Sequence, residues 1–70
     1  MNEVKIHTEY ITLGQLLKFQ NIAASGGDIK AILSTQEVLV NGEPENRRGK
    51  KLYAGDVVEI KTVGIFKVVQ

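Results

Sequence analysis

Arg47, Arg48, Lys50 and Lys51 crowd into the segment from position 47 to 51 with no acid among them. They are four of the chain's nine Lys and Arg residues, so a protein of net charge +1 carries one strongly positive spot. The chemistry on offer is contact with phosphate: Arg presents a planar fork of donors, Lys a mobile point charge, and Gly49 lets the backbone come close. The competing reading is a solvated charged turn that keeps an edge strand from pairing with other chains. A second anion site nearby would favour phosphate. Ser25-Gly26-Gly27 offers one, because free amides and the positive end of a helix dipole attract anions where glycine leaves room. Lys30, one turn further in, would reinforce it. In isolation these residues read as helix capping and a solvated lysine.

Other chemistries lack their parts. A nucleotide-hydrolysing phosphate loop needs glycine where Pro44 stands and Ser or Thr where Lys51 follows Lys50. Cysteine is absent, which removes disulfides, thiolate metal sites and cysteine nucleophiles together. His7 is the only histidine, too few for a zinc site or a triad. Glu43 and Glu45 have no evident apolar surroundings to separate their pKa values, so they read as partners of neighbouring arginines rather than as an acid/base pair. Among Tyr10, Phe19, Tyr53 and Phe66, which have rings that can stack on bases, Tyr53 adjoins the basic loop, although aromatics in a small domain usually fill the core. The expectation is a protein that is not an enzyme and takes no metal and no cofactor.

Elements must hold these residues in place. Glu3 to Thr8 alternates apolar and polar residues, the period of a half-buried strand. Thr12-Leu13-Gly14-Gln15 fits a capping box, and Leu13, Leu16 and Leu17 supply the apolar stripe of a helix ending near Phe19 or Gln20. Gly14 weakens that helix by ~1 kcal/mol relative to Ala. Ser25 is the candidate cap of a second helix over residues 26–35, with Ile29, Ile32 and Leu33 as its stripe and Lys30 on another face. Glu37 to Val40 reads as a strand, Asn41-Gly42 as a type I′ hairpin turn, and 43–46 as the return, edge-bound or irregular because of Pro44. The two-residue turn would set Val40 opposite Glu43 and Val38 opposite Glu45, carboxylates beside core valines, so that register stays open. Leu52 anchors the end of the basic loop, Tyr53 to Asp56 suits a type II turn, and strands over 57–61 and 65–69 follow, the last able to pair with the first.

The expected fold class is therefore α+β, with two short helices packed on a small, mostly antiparallel sheet of four to five strands. Seventy residues make a single domain at most, 1–70, able to bury roughly 60% of its unfolded surface. No apolar run approaches the ~20 residues of a membrane span and no signal core opens the sequence, so a cytoplasmic protein is expected.

Helix, helix and strand ending in Val38-Leu39-Val40-Asn41-Gly42, then a basic loop and Ala54-Gly55-Asp56-Val57-Val58, resemble the RNA-binding domain named after ribosomal small-subunit protein S-four, the alpha-L motif. The likeness covers about residues 12–61. Ser25-Gly26-Gly27, Lys30, Val40-Asn41-Gly42-Glu43 and Arg47-Arg48-Gly49-Lys50-Lys51-Leu52 resemble its small stand-alone bacterial members of the YaaA/YbcJ type. The resemblance implies a protein that binds structured RNA, ribosomal or transfer RNA or a ribonucleoprotein; a monomer without a membrane partner is expected. It implies phosphate contacts from Lys30, Arg47, Arg48, Lys50 and Lys51, a further phosphate on the amides of Ser25, Gly26 and Gly27, and Asn41 fixing the turn. Many members begin the second helix with Ser-Arg, where this chain has Ser25-Gly26. Two other classes compete: a protein–protein adaptor, and a β-grasp carrier, whose C-terminal Gly-Gly is replaced here by Val68-Val69-Gln70.

Overall fold

The computed structural model describes residues 1–70. The elements in chain order are β1 (Asn2–Lys5), β2 (Ile11–Thr12), α1 (Leu13–Phe19), α2 (Gly26–Thr35), β3 (Val38–Val40), β4 (Glu43–Pro44), β5 (Lys51–Leu52), β6 (Val57–Ile60) and β7 (Gly64–Val69). Both helices start where their caps dictate. The Gln15 N–H donates to Thr12 Oγ1 at 3.2 Å and the Thr12 N–H donates to Gln15 Oε1 at 2.9 Å, so the capping box is complete. Ser25 Oγ accepts from the Asp28 N–H at 3.2 Å. The stripes face inward: Leu13, Leu16, Leu17 and Ile29 are buried, and Ile32 and Leu33 pack partly buried against them. No helix is long and apolar enough to cross a membrane.

The main sheet has the order β1-β7-β6-β3-β4, with β1 parallel to β7 and every other pair antiparallel. Alternation along the strands places Val4, Val38, Val40, Val58, Ile60, Phe66 and Val68 in the core, where they form one apolar cluster with the helix leucines, Ile29 and Leu52. The strands at the sheet's margins are shorter than the sequence pattern suggests. β1 ends at Lys5, although the Ile6 N–H still donates to Val69 O at 2.8 Å. β4 ends at Pro44, whose missing N–H cannot extend a ladder.

The hairpin register resolves in favour of the two-residue turn. Val40 pairs with Glu43 and Leu39 with Pro44, and Asn41 (φ 52°) and Gly42 (φ 84°) both take the positive φ that a type I′ turn demands. Carboxylates opposite core valines are tolerated because β4 is the sheet's edge. Glu43 leans into solvent there, and Glu45, whose N–H donates to Val38 O at 2.9 Å, has its own cationic partner. A second, two-stranded sheet was not apparent from sequence pattern: β2 pairs antiparallel with β5, Ile11 opposite Leu52 and Thr12 opposite Lys51. This pairing ties the basic loop to the start of α1.

Candidate nucleic-acid interface

The first turn of an α-helix has backbone N–H groups without intrahelical acceptors. In α1 they are all engaged: Thr12 takes that of Gln15, Lys50 O takes that of Leu13 at 2.9 Å, and Arg48 O takes that of Gly14 at 2.9 Å. The basic loop is thus fastened by its carbonyls, while its side chains stay available. Gly14 makes the fit possible. A Cβ built at this position would stand 3.4 Å from Arg48 O, 3.5 Å from Ile29 Cδ1 and 3.6 Å from Arg48 Cβ, so any side chain beyond a methyl has no room. The helix-weakening glycine of the sequence is the contact surface on which the loop rests.

Docking in this way splits the basic residues between two sides of the loop. Arg48 turns toward the helices. Its guanidinium lies over the start of α2, 3.7 Å from where a Cβ of Gly26 would stand. It lines a cleft of about 340 Å³ with Lys30, Leu33, Ser34 and Asn46, and a shallow one of about 90 Å³ with Lys18, Gln15 and Ile29. No carboxylate lines either cleft. Lys18 on α1, Arg48 on the loop and Lys30 on α2 therefore make a positive face without internal neutralisation. Next to it, the Gly26 and Gly27 N–H groups have no protein acceptor, Ser25 serves as the cap, and Asp28 accepts from the Ala24 N–H at 3.1 Å.

Arg47, Lys50 and Lys51 border a different cleft, of about 380 Å³, shared with Asn41, Tyr53 and three carboxylates, Glu43, Glu45 and Asp56. Of these three cations only Arg47 has an ion-pair partner. Arg47 Nε and Nη2 donate to Glu45 Oε2 and Oε1 at 2.9 and 3.1 Å, and the Arg47 N–H also donates to Oε2. Asn41 is locked: its Nδ2 donates to Asp56 Oδ1 at 3.1 Å, its Oδ1 accepts from the Val57 N–H at 2.9 Å, and the other Asp56 oxygen takes the Tyr53 N–H. Asn41 thus joins the hairpin turn to the turn over 53–56.

Glu45 has only 12% of its side chain exposed, against 71% for Arg47. The hydrogen bonds from Arg47, aided by its charge and that of Lys50 and opposed by desolvation, lower the Glu45 pKa from 4.5 to about 2. The same pair raises the Arg47 pKa. A carboxylate with a lowered folded pKa adds stability that is complete above its unfolded pKa and is lost as pH falls through the folded one. Urea unfolding of the parent and of Glu45→Gln should therefore differ by a constant amount near neutrality, and the gap should close between pH 4.5 and about 2.

The sequence matches the S4 domain family over residues 4–69, nearly the whole chain. This chain belongs to the S4 domain family. It is also 60% identical, over 68 residues, to a protein of Bacillus subtilis (strain 168) named as a probable ribosome maturation protein RlbA; the match covers 97% of this chain and 96% of that one. The family assignment agrees with the RNA-binding fold that the loop and turn motifs resemble.

Within this S4 domain the structure brings Lys30, Arg48 and the Ser25-Gly26-Gly27 turn onto one face, sets Lys50 and Lys51 on the other side of the loop, and gives Arg47 an intramolecular partner. The guanidinium of Arg48 occupies the space above Gly26. Two residues of the positive face escaped the sequence reading. Lys18 was not singled out, and only the loop's docking against α1 makes it a neighbour of Arg48. Asn46 was assigned to a return strand, yet lines the Lys30–Arg48 cleft.

Proposed function

We propose that this protein binds structured RNA, without catalysing a reaction, by laying phosphates along the face where the basic loop meets both helices. The observation that carries this reading is the absence of any carboxylate from the two clefts that Arg48 shares with Lys30 and with Lys18. An unneutralised cluster of three cations on three different elements suits a polyanion better than a solvated turn, which would intersperse acids. Lys50 and Lys51 extend the contact across the loop, and the free amides of Gly26 and Gly27 add hydrogen bonds to a phosphate held by Arg48. Phosphate contacts position an RNA without reading its sequence, so recognition is by shape. The relative's name makes ribosomal RNA or a maturing ribosomal particle the first target to test, and the reading is of a monomer acting in the cytoplasm.

The test is the salt dependence of binding to a ribosomal RNA fragment. Five contacts, from Lys18, Lys30, Arg48, Lys50 and Lys51, predict a slope of log affinity against log salt of roughly −3.5 on the single-strand coefficient. A flat profile would remove phosphate contact as the basis of binding. A partner retained in a pull-down after nuclease treatment would point instead to a protein adaptor.

A further inference from the structure

We propose that Tyr53, backed by Tyr10, is a stacking platform for an unpaired base of the bound RNA, with Lys51 holding the phosphate beside that base. The inference rests on the RNA-binding reading above and concerns the side of the loop away from Lys30 and Lys18. It begins from where the aromatic rings are. Of the four aromatic residues only Phe66 is in the core, which is otherwise aliphatic. Tyr53 is 45% exposed and Phe19 57%. A ring left at the surface of so small a protein forgoes hydrophobic burial that the fold needs, and an aromatic beside cations matches a ligand that is both flat and anionic.

The geometry is that of a held platform. Pairing of β2 with β5 brings Tyr10 and Tyr53, each adjoining one end of that ladder, to a ring separation of 5.8 Å with planes tilted by 50°. The Tyr53 main chain is fixed by the bond from its N–H to Asp56, so the ring is positioned without being covered. Neither tyrosine hydroxyl has a hydrogen-bond partner within the chain. Lys51 Nζ stands 5.0 Å from the centre of the Tyr10 ring and forms no ion pair; the ion pairs of the protein are Arg47–Glu45 and Lys61–Glu59. With Lys51 held over Tyr10 and not ion-paired, the exposed Tyr53 ring and the ammonium complement a nucleotide: base on Tyr53, phosphate on Lys51.

The experiment uses two probes, an RNA duplex carrying a bulge of uridines and the same duplex without the bulge. Both tyrosines of the chain lie at this site and tryptophan is absent, so intrinsic tyrosine emission reports on it alone. The bulged duplex should bind the parent more tightly and quench tyrosine emission more strongly. Tyr53→Ala and Tyr53→Leu should lose about tenfold in affinity for the bulged duplex, the scale of one stacked base, and bind the plain duplex as the parent does. The salt slope should not change. If the parent binds both duplexes equally, or Tyr53→Ala keeps the preference for the bulge, the stacking platform is wrong and phosphate binding stands. If the parent binds neither duplex, the RNA-binding reading falls as well.

Discussion

Replacing Arg48 with glutamate is expected to weaken binding to a ribosomal RNA fragment about a hundredfold, the loss of a charge-assisted contact compounded by repulsion. The same change at any other basic loop position should do less. Arg48 is the side chain common to both acid-free clefts, so reversing it places a carboxylate between Lys18 and Lys30 and cancels the field of each. Arg47 differs because Glu45 already occupies its guanidinium. Arg47→Glu should cost only about tenfold in affinity, because the charge it reverses is already partly neutralised. Fluorescence anisotropy at one fixed salt concentration separates the two. Arg48 makes no ion pair within the protein and its side chain is exposed, so thermal unfolding of Arg48→Glu should match the parent. Equal losses at positions 47 and 48 would show that the two sides of the loop do not differ as described.

Gly14→Val is the second large effect, and it strikes fold and site together. Its Cβ would sit against Arg48 O at 3.4 Å and Ile29 Cδ1 at 3.5 Å, and the two γ carbons of valine have no space beyond. Relief requires the loop to lift from α1, which breaks the bonds from the Gly14 and Leu13 N–H groups to Arg48 and Lys50. Overpacking of this kind costs about 2 kcal/mol, which in a chain of this size lowers Tm by roughly 8–16 °C. RNA affinity should fall as well under conditions where the variant is still folded, because Arg48 is carried away from Lys18 and Lys30. Gly14→Ala is the informative control. Its methyl meets Arg48 O at 3.4 Å, the near edge of ordinary contact, and gains helix propensity of about 1 kcal/mol, so its Tm should equal the parent's or exceed it by up to roughly 4–8 °C. A Gly14→Val protein as stable as the parent would mean that the loop does not rest on this residue.

Much of the fold was legible in the sequence because its signals are local. The Thr12/Gln15 box, the Ser25 cap, the two leucine and isoleucine stripes and the Asn41-Gly42 turn each act within a few residues, and each appears where those residues stand. The α+β class and the mostly antiparallel sheet followed from their order. The β2–β5 pairing was not legible, since two residues on each side leave no periodicity to read. The candidate site divides in the same way. The composition of the loop was plain, but its partition was not. That Arg48 faces the helices while Arg47 faces Glu45 depends on how loop carbonyls meet the amides of α1, a contact between segments more than thirty positions apart. Gly14 illustrates the limit: helix propensity marks it as a defect, and only the approach of Arg48 explains it.

The parallel pairing of β1 with β7 bears on how the molecule is made. Val4 meets Val68, so the strand synthesised near the beginning finds its sheet partner only when nearly all the intervening chain exists. Closing a loop of about 60 residues costs roughly 3–4 kcal/mol in chain entropy, a cost that the growing polypeptide has no way to recover until β7 emerges. Before then β1 has no neighbour, and β6, which joins β7 to β3 in the finished sheet, has an open flank. Completion of the sheet should therefore wait for β7, with the helices and the β3–β4 hairpin forming first and β1 closing the sheet last.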